Sequence, residues 1–302
     1  MTDNATTYLV IGATGKTGRR VVRRLAARDL PVRAGSRSGE PPFDWNADPD
    51  TWLPLLRGVR AAYITYYPDL AFPGAGDAIR AFAERAVRAG VHRLVLLSGR
   101  GEEGTDAAEQ GVRESGAEWT IVRATWFAQN FSEHFLLPPV LGGVIALPAA
   151  DVAEPFVDAD DVADVVTAAL TQDGHAGVTY ELTGPRLITF AAAAAEISAA
   201  CGREVRYQPV TRAESTALLT GSGLPAEEAA ALSDLFVRVL DGRNAHLTDG
   251  VRRATGQAPR DFSDYVRATA ATGVWNPRHH PDRSPDSDDR RRFQPNAGVE
   301  GP

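Results

Sequence analysis

Up to residue 123 the chain alternates short apolar runs with longer stretches whose apolar positions recur at helical spacing. Residues 8–11, 31–34, 61–66, 93–98 and 119–123 read as strands, with a further short strand predicted around Phe43 and Trp45. Between them, 16–28, 50–56, 77–89 and 107–115 read as helices. Strands this apolar are covered on both faces, and the strand–helix alternation makes them parallel neighbours. The predicted fold class is therefore α/β, a doubly wound parallel sheet. After residue 130 the rhythm changes. A helix or lid over 131–141 and a short strand ending at Leu147 lead to a helix over 160–170 and a strand over 178–182. Helices follow over 190–201, over 211–242 with a break at Gly221-Ser222-Gly223-Leu224-Pro225, and over 262–272. The expected division is a sheet domain over 1–184, a small, mostly helical cap that binds substrate over 185–275, and a disordered tail over 276–302. The tail has few apolar groups with which to offset its ordering entropy.

The first strand runs straight into Gly12-Ala13-Thr14-Gly15-Lys16-Thr17-Gly18, and that loop runs straight into a helix. Bare backbone N–H groups beside a helix N-terminus suit a pyrophosphate. Gly12 permits the turn, Gly15 lets backbone approach phosphate, and Gly18 lets the helix pack close to the sheet. The G-x-x-G-x-x-G spacing between a strand and a helix makes the sheet Rossmann-type and a dinucleotide its ligand. Gly12, Thr14, Gly15, Lys16, Thr17 and Gly18 are the residues expected on it. Gly15-Lys16-Thr17 imitates the end of a P-loop, but the required first glycine is Val10, inside the strand.

The second strand ends in Gly35-Ser36-Arg37-Ser38, with no carboxylate to take a ribose 2′-hydroxyl. Ser36 and the planar fork of Arg37 suit a 2′-phosphate instead. The expected cofactor is NADPH, with NADP preferred over NAD.

Composition narrows the partners. The chain has 302 residues, 43% of them hydrophobic, a net charge of −7 and a pI near 5.4. That balance argues against nucleic acid. No apolar run reaches the ~18 residues of a membrane span, and no signal-peptide pattern opens the chain. A single cysteine, Cys201, excludes an internal disulfide, and a cytoplasmic location is the expectation. The expected partner is a small-molecule substrate, the expected state a monomer or homodimer, and no metal is expected.

The chain resembles the NmrA-like atypical short-chain dehydrogenase/reductases. The match is carried by 12–19, by Leu94-Val95-Leu96-Leu97-Ser98, by the 113–120 helix-to-strand junction, by Arg123-Ala124-Thr125-Trp126-Phe127-Ala128-Gln129-Asn130-Phe131, and by Phe156-Val157-Asp158-Ala159-Asp160-Asp161-Val162-Ala163. The Trp126-Phe127 and Asn130-Phe131 pairs look most like the ergot-alkaloid reductase branch, which includes festuclavine dehydrogenases. The resemblance implies an NADP(H)-binding Rossmann domain with a small substrate domain. It leaves catalysis open, because the family also includes redox-sensing regulators and quinone reductases.

Catalysis in the wider superfamily uses a serine and Tyr-x-x-x-Lys, the lysine lowering the tyrosine pKa for proton delivery. Ser98 stands where the serine belongs and is also expected beside the cofactor. Residues 99–118 hold no tyrosine and no lysine, and Lys16 is the only lysine in the chain. Two chemistries survive that loss: hydride addition to an iminium ion, which needs no acid, and reduction of a C=O group protonated from elsewhere. The activity expected is that of an imine reductase or ketoreductase, with quinone reduction or non-catalytic NADP(H) sensing as alternatives. Tyr66 and Tyr67, past a strand's carboxyl end, are expected at the cofactor and the substrate respectively. Trp126, Phe127, Asn130 and Phe131 are expected to wall the substrate pocket. His134 is a candidate proton donor by residue type. Asp160 or Asp161 is expected to cap the helix that follows. Arg100, Glu102 and Glu103 are expected on a solvated face.

Overall fold

The computed structural model describes residues 7–133 and 135–277. The amino-terminal half contains β1 (Thr7–Ile11), α1 (Gly18–Ala26), β2 (Val32–Gly35), α2 (Leu53–Leu56), β3 (Val59–Ile64), α3 (Ala75–Arg88), β4 (Arg93–Gly99), α4 (Asp106–Arg113) and β5 (Glu118–Ala124). Then come α5 (Asn130–Glu133), α6 (Leu137–Gly142), β6 (Val144–Leu147), β7 (Ala153–Glu154), α7 (Ala159–Thr171) and β8 (Val178–Leu182). The remainder is β9 (Ile188–Thr189), α8 (Phe190–Cys201), β10 (Arg206–Pro209), α9 (Arg212–Gly221), α10 (Ala226–Val239), α11 (Gly250–Thr255) and α12 (Phe262–Ala271).

Six strands form one parallel sheet in the order β2-β1-β3-β4-β5-β8. Alternation sends successive residues to opposite faces. Tyr8, Val10, Tyr63, Val95 and Val122 meet α1 and α7 through Val21, Leu25, Val162 and Val166. Leu9, Ile11, Ala62, Ile64, Leu94 and Leu96 meet Leu55, Phe82 and Val112 on the other face. The chain leaves β1 toward β2 on one side and returns to β3 on the other, so the crevice between β1 and β3 is the topological switch point. The loop after β1 lies there.

Phe43 and Trp45 form no strand. They pack with Trp52 and Phe82 at centroid separations of 4.8–5.9 Å, and burial of aromatic area holds that segment in place of ladder bonds. A third core lies beyond the sheet's carboxyl edge. Phe131, Val140, Ile145 and Phe156 join Phe190, Ile197, Phe236, Phe262 and Trp275 in it. Residues 128–156 thus share a core with the cap, and a division at 185 cuts through the packing. Two small ladders, parallel β6–β10 and antiparallel β7–β9, tie the 144–154 segment to the cap. Among the described residues no helix is long and apolar enough to cross a membrane.

The cap of α7 is Asp158, which accepts from Asp160 N–H at 2.7 Å. Asp160 instead pairs with Arg20 and Arg24 of α1, at 3.1 and 2.9 Å, and Asp161 with Arg260. Extended backbone at residue 158, two positions before the first of the predicted caps, decides this.

Candidate active site

The glycine loop is built as the spacing implies. Gly12 has φ +69°, and a Cβ there would stand 2.3 Å from Thr65 Oγ1. A Cβ on Gly18 would stand 2.1 Å from Gly12 O, so only glycine lets α1 start so near the strand. Thr14 and Gly15 are exposed. Among the described residues the N–H groups of Thr14, Lys16 and Thr17 meet no acceptor. Unpartnered amides around a bare glycine at the N-terminus of a nine-residue helix fit a pyrophosphate. The Thr17 side chain does not share in this. Its hydroxyl accepts from Tyr63 O–H at 2.9 Å beneath the loop, so of Thr17 only the backbone faces outward. Arg37 is exposed just past β2 and Ser36 is half-buried, its carbonyl accepting from Gly39 and Phe43.

Lys16 links this loop to the pocket wall. Its ammonium donates to Asn130 Oδ1 and lies 5.3 Å from the centroid of the Phe127 ring. Burial lowers its pKa most; Glu133 raises it, Arg20 and Arg19 lower it further, and the result is about 7. Phe127 and Asn130 therefore stand together as expected. Trp126 is half-buried among Phe135, Phe190 and Phe236, at 5.5–5.9 Å between centroids. Phe131 is not a wall residue. It is fully buried against Phe156, Phe190 and Phe262, and its carbonyl accepts from the Trp275 indole at 2.9 Å. The third core, assembled from distant helices, claims that ring. Tyr66 packs on Trp45 at 5.1 Å, while Tyr67 is 46% exposed at the mouth. His134 lies outside the described residues.

Ser98 is also displaced from its expected role. It is 4% exposed, and its hydroxyl donates to Glu109 Oε1 at 2.8 Å. Glu109 is clamped as well by Arg123 through two bonds of 2.7 Å and by Arg113 at 2.7 Å. Burial pushes the Glu109 carboxyl up, but these donors outweigh it and hold it below its usual value. An ionised carboxylate within reach captures the serine's only proton donor, which leaves the hydroxyl none for a ligand.

Three features of the mouth depart from the sequence expectations. Past β3 and β4, Asp69 and Glu102 hydrogen-bond to each other. Burial and the neighbouring Asp69 push Glu102 up to about 8, and Asp69 is raised by burial as well, so the pair holds a proton at neutral pH. Arg100 is buried rather than solvated, bonded to Glu181 at 3.2 Å, to the Asn244 carbonyl at 3.0 Å and to His246. It anchors the 241–248 loop of the cap on the sheet's edge. On that same edge Thr125, just past β5, meets β7: its Oγ1 donates to the buried Glu154 Oε2 at 3.1 Å. Glu154 precedes the recognisable 156–163 motif and follows no periodic pattern; long-range pairing, the bridge between Phe127 and Val157 together with the β7–β9 ladder, brings it to the site.

With this geometry established, comparison with known proteins becomes specific. A family model described as NAD(P)H-binding matches residues 12–173. The chain belongs to this NAD(P)H-binding family of reductases. An NAD(P)H azoreductase of Xenophilus azovorans is 31% identical over 286 residues, covering 87% of this chain and 98% of the relative. Agroclavine dehydrogenase of Claviceps fusiformis is 29% identical over 277 residues, covering 86% and 96%. The structure of Citrobacter sp. triphenylmethane reductase with NADP(H) superposes with a TM-score of 0.68 at 20% identity, covering 87% of this chain and 99% of that one. The resemblance read from the five motifs is thereby borne out, and with it the Rossmann-type sheet, a nicotinamide cofactor and oxidoreductase activity.

Proposed function

We propose that the protein uses NADPH to reduce a C=N (iminium) or C=O group of a small aromatic or heterocyclic metabolite of specialised metabolism, without a Tyr-x-x-x-Lys acid. One observation carries the reading. Lys16 leaves the phosphate loop and ends against Phe127 and Asn130, so the cofactor cradle and the aromatic wall share a border. The cofactor, when bound, supplies a hydride from its nicotinamide ring. The chain's own part is placement. The loop amides hold the phosphates, and Trp126 and Phe127 offer flat faces to a ring-bearing substrate. Orientation of this kind contributes ~7–11 kcal/mol toward a barrier. An iminium ion becomes a neutral amine on hydride addition and asks for no proton. The 2′-phosphate falls to Arg37, exposed past a strand end that lacks a carboxylate.

The test is NADPH oxidation against iminium ions, hydroxyaryl ketones and quinones. Turnover of one of the first two classes supports the reading. Turnover of quinones alone makes the chain a quinone reductase, and tight NADPH binding without any turnover makes it a non-catalytic NADP(H) sensor. Arg37→Ala is expected to weaken NADPH about tenfold, or ~1.4 kcal/mol, and to leave NADH affinity within about twofold in fluorescence titrations. Equal losses for both nucleotides would reject the assignment of Arg37.

A further inference from the structure

Among the described residues, two buried side-chain oxygens lack any hydrogen-bond partner: Glu228 Oε2 and Glu154 Oε1. Glu228 is in the first turn of α10, whereas Glu154 is 0% exposed beside the carboxyl end of β5. The segment after β7 runs parallel to 125–128. Val157 N–H donates to Trp126 O and Ala128 N–H to Val157 O, both at 2.9 Å, which fixes Glu154 against Thr125. An orphan oxygen is tolerable on a neutral carboxylic acid and costly on a carboxylate. The nearest cation does not change this. Arg100 acts on Glu154 only through its field, because its donors go to Glu181, Asn244 and His246. Asp241, after α10, opposes ionisation.

We propose that Glu154 and Thr125 form the proton relay of this site: with the acid protonated on Oε2 the 3.1 Å contact reverses, Oε2–H donating to Thr125 Oγ1, and the threonine's own proton, released from that contact, passes to the acceptor oxygen. The inference rests on the carbonyl branch of the reductase reading above. Hydride reaches the carbonyl carbon and the π pair moves to oxygen. The Thr125 O–H bond breaks as the substrate O–H bond forms, and the Glu154 proton restores the threonine. Glu154 is left as a carboxylate and regains its proton from water. Thr125 is then the group at the substrate, flanked by the half-buried Trp126, and Glu154 is the reserve behind it. Burial pushes the Glu154 carboxyl up to about 7, against the smaller opposing effects of Thr125 and Arg100. The reserve is thus loaded at neutral pH and empties above it.

Ketone and iminium reduction, measured from pH 5.5 to 9.5, separate the outcomes. In the wild type, the ketone rate is expected to fall above about pH 7 while the iminium rate shows no such limb. Glu154→Gln and Thr125→Val are expected to lower the ketone-to-iminium rate ratio at least about tenfold and to abolish the limb, with Thr125→Ser restoring it. Infrared spectra without substrate, pH 6 minus pH 9, are expected to show protonated-carboxyl bands from Glu154 and Glu102, of which Glu154→Gln loses one and Glu102→Gln the other. The relay is overturned by a wild-type ketone rate without the limb, by equal losses on both acceptors, or by infrared bands unchanged in Glu154→Gln. It is also overturned if Glu102→Gln, rather than Glu154→Gln, removes the limb, since the proton then belongs to the Asp69–Glu102 pair. Turnover of neither acceptor overturns the reductase reading itself, and the relay with it.

Discussion

Glu109, on the helical side of the sheet, and Glu154, at its carboxyl edge, are both 0% exposed, yet they favour opposite protonation states. Around Glu109 two arginines and a serine converge, so both oxygens are matched and the charge is retained. Around Glu154 a single hydroxyl arrives and the charge is suppressed. Burial is the same; the donor count differs. The lesson is that a buried acid's behaviour is set by who faces it, and that the incompletely matched one is where chemistry can be sought.

The largest way to break the contrast is to neutralise the matched acid. Glu109→Gln leaves Arg123 and Arg113 facing an amide and is expected to cost about 3–5 kcal/mol in denaturant unfolding. A loss under 1 kcal/mol would mean that water screens the cluster. The next effect concerns pH. The Glu154 carboxyl lies near 7 when folded against an ordinary 4.5, so the folded chain binds its proton more tightly. Its contribution to stability is fully present below about 4.5 and is lost as pH rises through about 7. Unfolding free energies are expected to decline over that window by about 3 kcal/mol from this group, and Glu154→Gln to flatten the decline. Parallel curves for the two proteins would refute that titration. The smallest effect is at Ser98. Ser98→Ala removes one donor from Glu109 and is expected to cost about 1 kcal/mol in unfolding, with NADPH affinity kept within about twofold. Collapse of turnover in that variant would return the serine to the chemistry.

Backbone-made features were legible in the chain. The glycine loop, the parallel sheet and the helix after it follow from spacing and periodicity, which are local properties. Features made by side chains from distant segments were not. Phe131 reads as a wall because it follows a strand, and only the arrival of Phe190 and Phe262 turns it into core. Ser98 sits at the right position in sequence, but Glu109 and Arg123 decide where its hydroxyl points. Glu154 occupies a two-residue strand with no periodic signature, and its role depends on a contact with Thr125 across 29 positions. Asp69 and Glu102 meet only because β3 and β4 are neighbours in the sheet.

Lys16 has a practical consequence. A chain with one lysine carries one side-chain amine, and here that amine loses its proton near pH 7 at the border of the two binding regions. Reductive methylation with isotopic formaldehyde would place the one side-chain reporter there, beside the α-amine that labels as well. The side-chain resonance could then follow nucleotide arrival and substrate arrival separately, in a protein carrying no mutation.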